Sequence, residues 1–169
     1  MYNTVTTPQF VKRDNSIQQA STSTPLSMVI VERNPTARAA LSKAFSAEGI
    51  RVVSNIAESQ STLQVACTLD PDLILYSVNS PEIDELQRIM ILRRELPNTL
   101  ILVLVHGELN GQEKIITDYG AHQVLSNSIH PTELVKAVQA LMHAHLPSIL
   151  FTAQSLTRAQ FSQAADVSL

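Results

Sequence analysis

The sequence is short of glycine, aromatic residues, cysteine and charge, and each shortage removes a class of function. Only four glycines occur in 169 residues. They fall singly at helix ends and turns, so there is no glycine-rich loop to cradle a phosphate. Phe, Trp and Tyr together make up 4 %, which argues against a flat cofactor such as flavin. A single cysteine, Cys67, forbids an internal disulfide and fits a reducing, cytoplasmic setting. Charged residues are 16 % and the net charge is −3, so no basic surface advertises nucleic acid. No apolar run approaches the roughly 20 residues that cross a bilayer. The opening, Met1–Val5, lacks the charged-then-apolar order of a secretory signal.

What is present suits one domain with a proper core: hydrophobic residues are 44 % of the chain. Three parts are expected. Residues 1–25 are rich in Ser, Thr, Gln and Asn, with Val5, Phe10, Val11 and Ile17 scattered among them. Such a stretch buries too little apolar surface to offset its ordering entropy, so it reads as a flexible arm. Phe10–Arg13 has the form of a short docking peptide, but an unstructured tail fits the composition better. Residues 26–145 alternate between strand and helix patterns. Residues 146–169 form a tail that begins where Pro147 breaks the last helix. It holds an apolar triplet, Ile149–Phe151, and a short helix-like segment through Ser155–Phe161.

The middle part carries the fold. Leu26–Val31, Leu73–Tyr76 and Thr99–Val105 are dominated by apolar residues, as in strands buried on both faces of a parallel sheet. Arg51–Ile56 alternates more and suits a place nearer an edge. Gln123–Ser126 is the fifth strand. Asn34 followed by Pro35 caps a first helix running to about Glu48, with Ala37, Ala40, Leu41, Ala44 and Phe45 on one face and Gly49 as its stop. Ser59–Leu69 is a second helix with Leu63, Ala66 and Cys67 inward, ended by Asp70 and Pro71. A third runs from Glu82 to Leu96 with Ile83, Leu86, Ile89, Met90 and Arg93 spaced along it. Asn110–Tyr119 is a shorter fourth, closed by Gly120. Pro131–His145 is the fifth, carrying Leu134, Val135, Val138, Leu141 and Met142. Five strand–helix units imply an α/β, doubly wound, five-stranded parallel sheet with five helices. Strand order 2-1-3-4-5 is expected, although periodicity alone leaves other orders open.

In open sheets of this kind chemistry collects past the carboxyl ends of the strands. Ser77 closes the third strand there, before a turn that ends in Pro81. With Glu32 and Arg33 after the first strand, Pro71 and Asp72 before the third, and Gly120 and Ala121 before the fifth, Leu26–His145 resembles the receiver domain of bacterial two-component response regulators. The resemblance implies a flavodoxin-like, CheY-like fold. It also assigns positions. The family's acidic pair falls on Glu32 and Arg33, its phosphoaccepting aspartate on Ser77, and its hydroxyl residue after the fourth strand on Val105. Its lysine before the fifth helix falls on Asn127, and its fifth-strand aromatic on Val124.

Those substitutions have chemical consequences. The family binds magnesium through the acidic pair and the acceptor aspartate, and magnesium wants oxygen ligands. Only Glu32 remains among those carboxylates, and Arg33 sets a permanent cation beside it. Ser77 forms no acyl phosphate by the family route, Val105 has no hydroxyl, and Asn127 supplies no cation. The resemblance therefore implies a pseudo-receiver without the phosphorylation switch, and neither metal nor cofactor is expected. Glu32 and Arg33 have the option of pairing with each other or with Ser77 and Asn127, but solvated residues at the sheet rim are the plainer expectation.

The remaining candidates read as structure. No nucleophile-elbow pattern surrounds Ser77, so Ser-His-Asp catalysis is unsupported and the chain is not expected to be an enzyme. His143 and His145 are two apart on a helix and face different ways. His106, His122 and His130 read as exposed loop histidines near the site. Cys67 reads as a small core residue.

By the same resemblance, the fourth helix, fifth strand and fifth helix form a face for a protein partner or homodimer. It includes Glu113, Lys114, Asp118, Gln123, Glu133, Lys136 and Gln139, although mixed charge at helical spacing ordinarily marks a solvated face. Leu156 and Thr157 resemble the opening of the helix-turn-helix output domain of one regulator class. A reader of that kind needs about three helices, so DNA binding by this chain is not expected. Three functions stay open: a phosphorylation-independent regulatory module, a receiver phosphorylated at Asp72 or Asp84, and a flavodoxin-like small-ligand binder in the vacated pocket.

Overall fold

The largely apolar runs become the inner strands of one parallel sheet, and the alternating ones become its edges. In the computed structural model, residues 25–57 and 61–145 are described. Expectations for Phe10–Arg13, Ile149–Phe151, Leu156, Thr157 and Phe161, and for the start of the second helix at Ser59, lie outside those residues. The elements are β1 (Ser27–Val31), α1 (Pro35–Ala47), β2 (Arg51–Ile56), α2 (Thr62–Leu69), β3 (Leu73–Val78), α3 (Ile83–Glu95), β4 (Leu100–Val105), α4 (Glu113–Asp118) and β5 (Gln123–Ser126). Residues 131–145 form α5. The strand order is β2-β1-β3-β4-β5 and every pairing is parallel. Every residue of β1 and β4 is buried, whereas β5 is half-buried throughout and β2 is mixed, from exposed Arg51 and Asn55 to buried Ile56. That gradient follows from which strands have neighbours on both sides.

Successive side chains in a strand point to opposite faces, and two cores result. Phe45 of α1 and Leu134, Val138 and Met142 of α5 cover Met28, Ile30, Leu75 and Leu102. Ala66 of α2, Leu86, Ile89 and Leu92 of α3, and Ile116 of α4 cover Val29, Ile74, Tyr76 and Val103. The register sets Ser77 opposite Leu104 and Val105 opposite Ser126, so the carboxyl ends of β3, β4 and β5 share one rim. The predicted cap of α1 forms: Asn34 Oδ1 accepts from the backbone N–H of Thr36 at 2.9 Å and of Ala37 at 3.1 Å.

Four expected core positions face solvent instead. Ala40 and Cys67 are exposed, and Ile83 and Met90 are 57 % and 46 % exposed. On α3 the inward stripe runs Leu86, Ile89, Leu92. Three-residue steps rotate such a stripe backwards, away from Met90. On α2 the stripe centres on Thr62 and Ala66, which turns Cys67 outward.

At the opposite rim, Asp72 clamps β1 to β3. Ser27 donates to Asp72 Oδ2 through both its backbone N–H and its hydroxyl, each at 2.7 Å, and the Ser27 hydroxyl accepts from the Asp72 N–H at 3.1 Å. Asp72→Ala is expected to lower stability by about 2 kcal/mol, because two partly buried donors lose a charged acceptor. Urea unfolding checks this. The Asp72→Ala/Ser27→Ala double variant should lose less than the sum of the two singles.

Candidate functional site

At the carboxyl rim a cleft of about 150 Å³ opens between the β1–α1 turn, the end of β3 and the start of α3; Glu32, Arg33, Ser77, Asn79, Glu85 and His106 line it. Glu32 directly follows β1 and is 4 % exposed. A buried carboxylate needs partners, and both of its oxygens have one. Oε1 accepts from the Asn34 N–H at 2.8 Å, and Oε2 lies 3.2 Å from His106 Nε2. The other ring nitrogen of His106 lies 2.7 Å from Asn127 Nδ2, and Asn127 Oδ1 accepts from the Gly107 N–H at 3.2 Å. A continuous polar chain thus ties the ends of β1, β4 and β5 together.

Arg33 does not join it. Its side chain is 66 % exposed and reaches Glu85 Oε1 at 3.4 Å. Glu85 also takes Arg88 at 3.0 Å, and Tyr76 donates its hydroxyl to Glu85 Oε2 at 2.6 Å. Burial opposes the Arg88 charge, but Glu85 and Tyr76 outweigh it and hold its pKa above the usual arginine value. The optional pairing of Glu32 with Arg33, Ser77 or Asn127 does not form, and of the two residues expected to be solvated Arg33 is exposed whereas Glu32 is buried. Ser77 is half-buried, and its hydroxyl oxygen is buried with no hydrogen-bond partner. His106, Glu32 and Ser77 share the cleft, yet both His106 nitrogens are already engaged elsewhere, so no Ser–His pair exists.

The family model for the response regulator receiver domain matches residues 28–139. The chain belongs to this family. The nitrate/nitrite response regulator protein NarL of Escherichia coli K12 is 28 % identical over 117 residues, 68 % of this chain and 53 % of that protein. The DNA-binding transcriptional activator EvgA of the same strain is 22 % identical over 120 residues, 71 % of this chain and 59 % of that protein. The chain therefore spans just over half the length of these curated relatives. The signal receiver domain of the putative response regulator NarL from Mycobacterium tuberculosis superposes with a TM-score of 0.62 at 22 % identity, covering 69 % of this chain and 94 % of that one.

A receiver's magnesium finds a poor donor set here. Of the residues that the resemblance assigns to the family's metal positions, Glu32 is the one carboxylate, and its oxygens are held by Asn34 and His106. Arg33, which the resemblance assigns to the second acid, is a cation that reaches Glu85. Among the described residues no group of three or more His, Cys, Asp or Glu is placed to hold a metal ion. These residues do not fit the ion. Val105 is buried at 2 % exposure and offers no oxygen.

The other named candidates fall outside this receiver's cleft. Lys114 pairs with Asp118 at 2.7 Å along α4, and Lys136 with Glu133 at 2.9 Å along α5. Each pair stays within its own helix, where such pairs contribute a few tenths of a kcal/mol. Glu113, Gln123 and Gln139 are half-buried beside them. His122 is a correction. It precedes β5, a parallel strand, and so sits at the rim opposite Ser77. Its Nδ1 accepts from the Ile101 N–H at 3.0 Å, and its ring meets that of His145 edge-on with centroids 5.5 Å apart.

Burial, then the charges of Arg93 and His145, push the His122 pKa down to about 4 from the usual 6.5. As pH falls, the unfolded chain takes up a proton first. The contribution is complete above pH 6.5 and is lost progressively towards pH 4. Partial solvent access limits the loss to about 1–2 kcal/mol. Urea midpoints measured on either side of that window check it, and His122→Gln should remove this share of the pH dependence.

His106 is the residue that sequence reasoning undervalued. Its place at the end of β4 was legible, but its partners were not: Glu32 lies 74 positions away and Asn127 lies 21 away.

Proposed function

We propose that this receiver domain, spanning residues 26–145, acts without phosphorylation, as a non-enzymatic regulatory module that works through protein contacts in the cytoplasm and serves transcription control. The observation that supports this reading is the state of the cleft. The acceptor position is the serine Ser77, and the remaining family carboxylate, Glu32, is committed to His106 and Asn34. The partner or second copy would meet the face of α4, β5 and α5, where Glu113, Lys114, Asp118, Gln123, Glu133 and Lys136 stand. No direct nucleic-acid contact is assigned to this chain.

Acetyl phosphate with magnesium tests the reading. Intact mass is expected to show no phosphoryl gain. A hydroxylamine-labile phosphoryl group on Asp84 or Asp72 overturns the proposal. Asp72 is held by Ser27 at the far rim of the sheet, and Asp84 is exposed in the first turn of α3. Charge reversal at Lys114 and Lys136 together is expected to weaken partner or self-association by about tenfold if rim charges steer the contact. Sedimentation velocity, alone and with a captured partner, measures it.

A further inference from the structure

Two hollows at the carboxyl rim share a wall. The cleft beside Ser77 holds about 150 Å³ and is lined by Glu32, Glu82 and Glu85 against one guanidinium, Arg33. Ser77 lines it too, and its buried hydroxyl oxygen has no hydrogen-bond partner. A second hollow of about 180 Å³ opens between α1 and α5, walled by Ala37, Leu41, Leu104, Ile129 and Leu134. Glu32 and His106 line both. An acidic hollow and an apolar one thus lie side by side. Each is smaller than the roughly 300–1,000 Å³ of a site for a drug-sized ligand, and each suits individual side chains.

We propose that the paired hollows are a docking groove for Phe10–Arg13 of this same chain, with Phe10 and Val11 in the apolar half and Lys12 and Arg13 in the acidic half. The order of the residues matches the order of the hollows. Lys12 and Arg13 follow Phe10 by about 7–10 Å along an extended chain, a step that carries them past the shared wall. An ammonium or guanidinium brings several donors, and the cleft offers the unpartnered Ser77 oxygen and the carboxylates of Glu82 and Glu85. Asp14 comes next along the chain, and Arg33, 66 % exposed at the cleft, is the cation available to it.

The reach fits as well. Pro25 precedes β1 at the amino rim, and the groove lies past the other end of that strand, about 17 Å away. Residues 14–24 form the polar linker between them, rich in Ser and Thr. At random-coil dimensions a linker of that length spans about 17–21 Å. Effective concentration is greatest when linker and span match, which favours this segment over the same sequence on a second copy. The C-terminal tail is a poorer occupant. It leaves α5 at the amino rim too, where His145 meets His122. Its apolar triplet, Ile149–Phe151, has no cation beside it. Docking of Phe10–Arg13 makes no use of phosphate, so its failure and the failure of the phosphorylation-independent reading are separable.

NMR of the full chain tests it. A nitroxide is placed at position 9 through Gln9→Cys, with the exposed Cys67 removed as Cys67→Ser. The label is expected to broaden the backbone amides of Leu41 and Ile129 in the apolar half and of Ser77 and Asn79 in the acidic half. In a mixture of labelled chain with unlabelled nitrogen-15 chain the same signals should stay sharp. Unbroadened signals in the labelled chain overturn the proposal. Broadening in the mixture makes a second copy the occupant and overturns it too. A synthetic peptide of residues 8–15 supplies a second measurement, free of the label. It should bind the Lys12→Glu/Arg13→Glu chain about tenfold more tightly than the parent, whose own segment competes at high effective concentration. Equal affinity for the two chains, or no binding to either, overturns the proposal.

Discussion

Tyr76→Ala is expected to lower the unfolding free energy by about 4 kcal/mol, within the range for deleting a buried aromatic side chain. The ring is wholly buried on the face covered by α3. Its hydroxyl donates to Glu85 at 2.6 Å, and Glu85 in turn holds Arg88 and Arg33. Two losses combine: a cavity opens beside Val31, Val103 and Leu86, and Glu85 loses its buried donor. Tyr76→Phe separates them. It keeps the ring and removes the oxygen, and should lower stability by about 1–2 kcal/mol, the value of a hydrogen bond to a charged group. Urea unfolding with a common slope measures both. An alanine variant that loses less than about 1 kcal/mol shows that the site collapses around the missing ring and that the packing argument is wrong. A stable domain has about 5–15 kcal/mol in total, so the alanine variant should sit near the limit of folding.

The frame was legible because its signals are local. Three largely apolar runs named the inner strands, and Asn34 with Pro35 named the start of α1. The alternation in Arg51–Ile56 placed β2 near an edge, where it lies. The strand order was a choice among doubly wound arrangements, since periodicity alone permits several. Helix faces were read less well. Met90 and Leu92 are both apolar and two residues apart, and only the drift of the Leu86–Ile89–Leu92 stripe decides between them. Cys67 misled because it is small and follows the buried Ala66 directly.

The site divided in the same way. The resemblance assigns family positions residue by residue to Arg33, Ser77, Val105 and Asn127. What surrounds those positions was not legible, because it is made of contacts between strand ends. Burial of Glu32 is the organising fact. An unpartnered buried carboxylate is costly, so once the acidic neighbour and the lysine are gone something must satisfy it. His106 and the Asn34 N–H do so. The exposed Arg33–Glu85 pair carries far less weight, since ion pairs of that exposure are worth under about 1 kcal/mol.

Gly120→Ala is expected to cost about 3 kcal/mol, from backbone strain and overpacking together. Gly120 closes α4 with φ of +118°, a conformation that side chains with a Cβ rarely adopt. A Cβ there would also lie 2.7 Å from Arg93 Cβ and 2.8 Å from Arg93 Cγ. Those atoms are the root of the arginine side chain and not its mobile end. Relief therefore requires α3 or the turn into β5 to shift. Gly111 supplies the control. Its φ is +77°, and a Cβ there meets nothing within 4 Å, so Gly111→Ala reports strain alone and should cost about 1 kcal/mol. The difference between the two variants is the contact with Arg93. Trimming Arg93 to alanine removes the Cγ contact but keeps the Cβ, so it should restore less than half of that difference. A shift at Gly120 also moves His122, two residues on, away from the Ile101 N–H that it accepts. The Gly120→Ala variant should therefore lose part of the acid sensitivity assigned to His122 as well as its stability, a pairing that loss of packing elsewhere in the sheet would not produce.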